Sequence, residues 1–191
     1  MMTHDQIAEI INHSQANIAE IFKLIPAITD AAEMAADCLL AGGKVLACGN
    51  GGSAADASHL VGELVGRLSR ERPGMAAITL NSDLAVSTSL ANDYSYEMGL
   101  ARQVEALGTK ADILVAISTS GRSPNIIAAA RAAKAKEISI LALTKLGQSD
   151  LSNLADIVIK APGNSTQLIQ EAHGVIIHIL CMLIEDIVHP A

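Results

Sequence analysis

The chain of 191 residues has no tryptophan, one phenylalanine and two tyrosines. Without aromatic planes it has little on which to stack nucleobases. Its core must be built from Ala, Leu, Ile and Val, which suits helices closely packed on a parallel sheet. Basic charge is scarce as well: 13 Lys and Arg stand against 20 Asp and Glu, a net charge of -7 with no basic stripe. That balance argues against direct binding of DNA or RNA. The three cysteines, Cys38, Cys48 and Cys181, lack CxxC spacing and lie in apolar surroundings. They read as buried free thiols of a reducing compartment. No run is long and apolar enough for a bilayer, since the stretch from Gly174 to Ile184 contains His178 and ends at Glu185-Asp186. The opening Met-Met-Thr-His-Asp-Gln lacks the layout of a signal peptide. The expectation is a cytoplasmic protein with neither a membrane nor a nucleic-acid partner.

The length suits a single domain over 1–191 with a sizeable core. From about Asp5 to Leu40 apolar residues recur at helical spacing, interrupted by Pro26. Two helices are expected, the second from about Thr29 to Ala41. Five short apolar runs follow: Val45–Cys48, Ala76–Leu80, Ile113–Ile117, Ile138–Leu143 and Ile157–Ile159. Helix-like stretches separate them, near Ser53–Leu68, Leu84–Leu107, Pro124–Ala135 and Ser149–Leu154, and a last helix is expected from about Thr166 to Ile187. Such alternation predicts βαβ units, hence an α/β fold with a five-stranded parallel sheet between helical layers.

Two turns rich in Gly and Ser, each after a strand and before a helix, carry the functional signal. The second, Ile117-Ser118-Thr119-Ser120-Gly121-Arg122-Ser123-Pro124-Asn125, offers four hydroxyls and the N–H groups of a helix start. These surround a phosphate dianion without needing a lysine. The competing account is a capped helix with Ser123 as N-cap, which needs one hydroxyl and not four. The first, Gly49-Asn50-Gly51-Gly52-Ser53, is neither a Rossmann fingerprint nor a P-loop. Asn50 and Ser53 are candidates for sugar hydroxyls, with glycines that admit a ligand to the backbone; an ordinary tight turn explains it equally well. Both turns lie at strand carboxyl ends, where open parallel sheets bind ligands.

Further candidates sit on helices. His59 and Glu63 are four apart and share a face, with Asp56 three before His59. The pair suits two metal ligands, or a base beside an imidazole, or a plain surface pair. On the last helix Gln170 and His178 lie about 12 Å apart along the axis and roughly 80° apart around it. They meet at one point only if both lean toward it or come from different subunits. His178, flanked by Ile176, Ile177 and Ile179, also reads as an ordinary core histidine. Asn92-Asp93-Tyr94 is a ligand loop or an Asx turn.

Taken in order, Asn50-Gly51-Gly52-Ser53, His59-Leu60-Val61-Gly62-Glu63-Leu64, Arg72-Pro73-Gly74, Asn92-Asp93-Tyr94, Arg102 to Gly108, Ser118–Ser120, Gln170-Glu171-Ala172-His173 and His178-Ile179-Leu180 resemble the phosphoheptose isomerases of the sugar isomerase (SIS) domain family. The resemblance covers nearly the whole chain. It implies a flavodoxin-like three-layer α-β-α sandwich with a homotetramer built through the N-terminal segment of about 1–41 and the long C-terminal helix. It further implies sites at subunit interfaces and aldose–ketose isomerisation of D-sedoheptulose 7-phosphate to D-glycero-D-manno-heptose 7-phosphate, the first step of heptose synthesis for lipopolysaccharide.

Carried onto this sequence, the resemblance gives Glu63 and His178 as the acid/base pair. Ser118, Thr119, Ser120 and Ser123 hold the phosphate. Asn50, Gly51, Gly52, Ser53, Asn92, Asp93 and Gln170 line the sugar. A zinc ion, one per subunit, is implied at His59, Glu63, Gln170 and His178. Arg122, and Gln167-Leu168, depart from the family pattern. Three competing readings share the fold: a non-catalytic relative that binds the replication initiator, a sugar-phosphate sensor of a transcription regulator, and an isomerase of another ketose phosphate. The first lacks residues matching Glu63 and His178, and the second carries a DNA-binding segment that this chain does not show.

Overall fold

The computed structural model describes residues 1–190. Helices α1 (His4–Ala19) and α2 (Ile25–Leu40), joined by a 3-10 turn over Glu20–Leu24, precede the sheet. Then β1 (Val45–Cys48), α3 (Gly52–Val65), β2 (Ala77–Thr79), α4 (Leu84–Asp93), α5 (Gly99–Leu107), β3 (Ile113–Ile117), α6 (Pro124–Ala135), β4 (Ser139–Lys145), β5 (Ile157–Ala161) and α7 (Thr166–Val188) follow. All strands are parallel, in the order β2-β1-β3-β4-β5. The chain steps one way from β1 to β2 and the other way to β3. The crevice of this doubly wound sheet therefore opens between the carboxyl ends of β1 and β3. The two Gly/Ser turns leave those two strands.

Alternation along each strand feeds two cores. Val45, Ala47, Ile113, Val115, Leu141 and Leu143 pack beneath α2, α3 and α7. Leu46, Leu114, Ala116, Ile140 and Ala142 pack against α5 and α6. This three-layer arrangement agrees with the expected fold. Small side chains allow the close approach: five of the α2 positions that face the core are Ile28 and four alanines.

Several boundaries differ from those read in the sequence. α2 starts at Ile25, not near Thr29, because Pro26 falls in its first turn, where no N–H is missed. The expected helix over Leu84–Leu107 is two helices. Asp83 caps the first by accepting from the Val86 N–H at 2.9 Å, and the chain breaks at Tyr94 before Gly99 opens the second. Ser149–Leu154 forms turns instead of a helix, because Ser149 and Ser152 hydrogen-bond each other's backbone and compete with helical pairing. The cysteines are free, and burial pushes the thiols of Cys48 and Cys181 up to about 12. Among the described residues no helix is long and apolar enough to cross a membrane.

Candidate active site

The candidate ligand cradle is built from the two turns. At the second, Ser123 occupies the N-cap of α6 but makes no side-chain cap. Its Oγ instead meets Ser118 Oγ at 3.2 Å, and Ser118 Oγ accepts from the Gly121 N–H at 3.1 Å. The hydroxyls thus organise the loop and leave the start of α6 uncapped, the arrangement that attracts an anion. Gly121 adopts φ +64, and a Cβ there would stand 2.2 Å from Ser149 Oγ. Thr119 is half-buried, and Ser120 and Arg122 are exposed.

At the first turn a Cβ on Gly49 would meet the Ser53 carbonyl at 2.2 Å, so only glycine fits. Ser53 is buried, with its N–H on the Asn50 carbonyl. Asn50 is joined to Asn125 of α6 by two reciprocal amide bonds of 2.8 and 2.9 Å. Asn92 and Asp93 sit exposed at the end of α4 and bond each other at 2.8 Å.

A second group of side chains lies along the paired helices α3 and α7. His59 Nε2 stands 3.2 Å from Glu63 Oε1 and 3.1 Å from His178 Nε2. The two imidazoles meet edge to face, with centroids 4.7 Å apart. The Glu63 side chain keeps 21 % of its surface and that of His59 39 %. Asp56, one turn earlier, has an Oδ2 buried without a partner; burial pushes its carboxyl up, and nearby His59 pulls it back.

The lower end of this helix pair is bolted by a buried ion pair. Arg72 donates to Glu185 at 2.9 Å and to the carbonyls of Glu63 and Leu64 at 2.7 and 2.8 Å. It thereby caps α3 just where Glu63 projects. Burial drives the Glu185 carboxyl up, but the Arg72 hydrogen bond and the N–H groups of Leu68 and Ser69 outweigh it and hold it below the usual range.

A SIS domain model matches residues 10–145. A phosphoheptose isomerase of Thiobacillus denitrificans is 43 % identical over 191 residues, covering 98 % of this chain and 97 % of its own. Another, from Methylibium petroleiphilum, is 50 % identical over 157 residues, 81 % of this chain and 78 % of its own. The chain belongs to the phosphoheptose isomerase family of SIS-domain proteins. Membership makes it a sugar-phosphate isomerase. Among solved structures, a phosphoheptose isomerase from Francisella tularensis superposes with a TM-score of 0.93 at 38 % identity, over 97 % of this chain and 100 % of the other.

Within this phosphoheptose isomerase fold the expected site residues fall into two places. Asn50, Gly51, Gly52, Ser53, Ser118, Thr119, Ser120 and Ser123 gather at the carboxyl ends of β1 and β3, while Asn92 and Asp93 close helix α4. His59, Glu63 and His178 gather further down α3 and α7, their ligand atoms all within 4.8 Å of one another. Gln170 joins neither His59 nor Glu63 nor His178 by a hydrogen bond; its amide lies against Gly52, where an added Cβ would stand 2.4 Å from Nε2.

Three contributors escaped sequence reasoning. Asn125 closes the second Gly/Ser turn in the sequence, but nothing there gave it a partner. Tyr96, whose hydroxyl donates to Asn50 Oδ1 at 2.8 Å, had one signal, being one of two tyrosines in an aromatic-poor chain. Glu185 read as a polar end to an apolar run, although its side chain is only 1 % exposed.

Proposed function

We propose that the protein interconverts D-sedoheptulose 7-phosphate and D-glycero-D-manno-heptose 7-phosphate through an enediol, supplying heptose for lipopolysaccharide in the cytoplasm. The observation that carries this reading is the convergence of Glu63 and His178 on His59. A binding module needs the turns, but it has no use for a carboxylate and an imidazole brought together in a half-exposed site. In this reading the turn after β3 holds the phosphate through Ser118, Thr119, Ser120 and Ser123. Asn50, Gly51, Gly52, Ser53, Asn92, Asp93 and Gln170 line the sugar. The Glu63 carboxylate takes a proton from C1, and His178 donates at the carbonyl oxygen to give the enediol. Return of the proton at C2 and loss of one from the C1 hydroxyl complete the aldose.

Two imidazoles and a carboxylate converging with a side open are a donor set that fits zinc. His59, Glu63 and His178 would hold the ion, which would supply a Lewis acid for the carbonyl; with it bound, Glu63 and His178 would be less free to carry protons, and polarisation of the carbonyl would pass to the ion.

The same reading includes a homotetramer with shared sites. Glu63 lies roughly three helical turns beyond Gly52, about 16 Å of axial rise, so one chain's acid/base group is remote from its own cradle. A ligand held in the turns is better served by Glu63 and His178 of another copy. The surface agrees: α1 has no buried residue, and Ile7, Ile10, Ile11, Ile18 and Phe22 are exposed. Ile18, Phe22 and Ile25 further line an apolar groove of about 440 Å³ against Val175, Ile179 and Leu183 of α7.

The test is turnover on a panel of ketose phosphates, with and without chelator. Glu63→Gln and His178→Ala should each lower kcat by about 10²–10⁴, and full activity in both would sink the assignment. Preference for another ketose phosphate would correct the substrate alone, and indifference to chelator would remove the zinc.

A further inference from the structure

The Asn50 carboxamide is held from two sides. Asn125, only 3 % exposed, donates its Nδ2 to Asn50 Oδ1 at 2.8 Å and accepts from Asn50 Nδ2 at 2.9 Å. Tyr96, on the loop after α4, donates its hydroxyl to the same Oδ1 at 2.8 Å. A carboxamide oxygen has two lone pairs and its nitrogen two hydrogens. Both lone pairs of Asn50 Oδ1 are taken, and one N–H is left.

We propose that Asn125 and Tyr96 are positioning residues for the cradle: they turn the Asn50 oxygen into the protein, so that Asn50 meets the ligand only as an N–H donor. This rests on the reading of the cradle as a phosphosugar site and adds to it the handedness of one contact. The specificity consequence is direct. The sugar atom opposite Asn50 must accept a hydrogen bond, as a carbonyl, ring or enediolate oxygen does. A ligand offering only a donor there faces a filled acceptor.

The brace also sets the distance between the two turns, since Asn50 belongs to the first and Asn125 to the second. Tyr96 ties in the loop that follows Asn92 and Asp93. The residue is 66 % exposed, so core packing does little to hold its hydroxyl against Asn50.

Tyr96→Phe removes one hydrogen bond from an exposed residue and should fold. It should raise KM for sedoheptulose 7-phosphate about 3- to 10-fold with little change in kcat, the size of one neutral hydrogen bond. Asn125→Asp places an oxygen against Asn50 Oδ1 and should raise KM further. In an Asn50→Ala background neither substitution should change KM, because both act through that amide. A role in general stability would persist in that background and overturn the proposal, as would an unchanged KM in Tyr96→Phe.

A second readout needs no turnover. The chain has no tryptophan, so in Tyr94→Phe all indole and phenol emission comes from Tyr96. Its intensity should change when Asn50→Ala removes the acceptor, and unchanged emission would overturn the proposal. If sedoheptulose 7-phosphate is not a substrate, the function fails while this measurement still decides the brace.

Discussion

At the scale of the residue, His173 shows how burial sets a pH limit. It is 0 % exposed with neither ring nitrogen partnered, and it lies beside Thr144 of β4. Desolvation pushes it down to about 4 from an ordinary 6.5, against a smaller upward pull from the Thr144 backbone. The folded protein therefore keeps it neutral while the unfolded chain takes up a proton first. Stability from this group is complete above about pH 6.5 and falls as pH drops toward 4, by about 3 kcal/mol in all. Urea midpoints at pH 7 and pH 4.5 should show the fall, and His173→Leu should flatten it. The sequence showed two histidines on the last helix but not which one is inside. His178, flanked by isoleucines, looked the more buried, yet it lies roughly 140° around the helix from His173. His173 shares the inward face with Ile169, Ile176 and Leu180, while His178 turns out toward α3. Neighbours in sequence are not neighbours on a helix, and the phase becomes known only once α7 has docked.

At the scale of the element, α3 and α7 run side by side and in the same direction. Gln170 sits by Gly52, His178 by His59, Cys181 by Leu60 and Glu185 by Leu68. Both helices were legible from their periodicity, but their pairing was not, because the residues that join them lie more than a hundred positions apart. Arg72 and Glu185 are the clearest case. With side chains 2 % and 1 % exposed, they form an ion pair inside the protein. Arg72→Ala leaves Glu185 buried and unpaired, which should cost about 3–5 kcal/mol, measurable by chemical denaturation. Its second effect is on α3, whose last carbonyls lose their cap next to Glu63. The turn after β3 obeys a different constraint. Gly121→Ala must accommodate a Cβ at φ +64 against Ser149. It should raise KM while leaving kcat nearly intact, since the hydroxyls proposed to hold the phosphate shift and the proposed acid/base pair does not.

At the scale of the whole molecule, the apolar exterior of α1 and the groove beside Phe22 are what a monomer would be expected to cover. In the tetramer proposed above, Phe22→Asp should dissociate the assembly, as read by light scattering, and abolish turnover together, because a site divided between chains fails when the chains part. A monomer with full activity would refute the divided site. The helices of this surface were evident from the sequence; which faces remain outside was not, since an apolar stripe looks alike whether it meets its own core or another copy.

The distance between cradle and acid/base cluster has a further consequence, for inheritance. A chain crippled at Gly121 still carries sound Glu63 and His178, and a chain with Glu63→Gln still carries a sound cradle. In the divided site proposed above, and at substrate concentrations below the raised KM of the Gly121 variant, the two impaired enzymes refolded together should therefore recover part of the wild-type rate, each completing sites the other cannot. In a cell carrying both alleles, the defects would complement each other within a single gene.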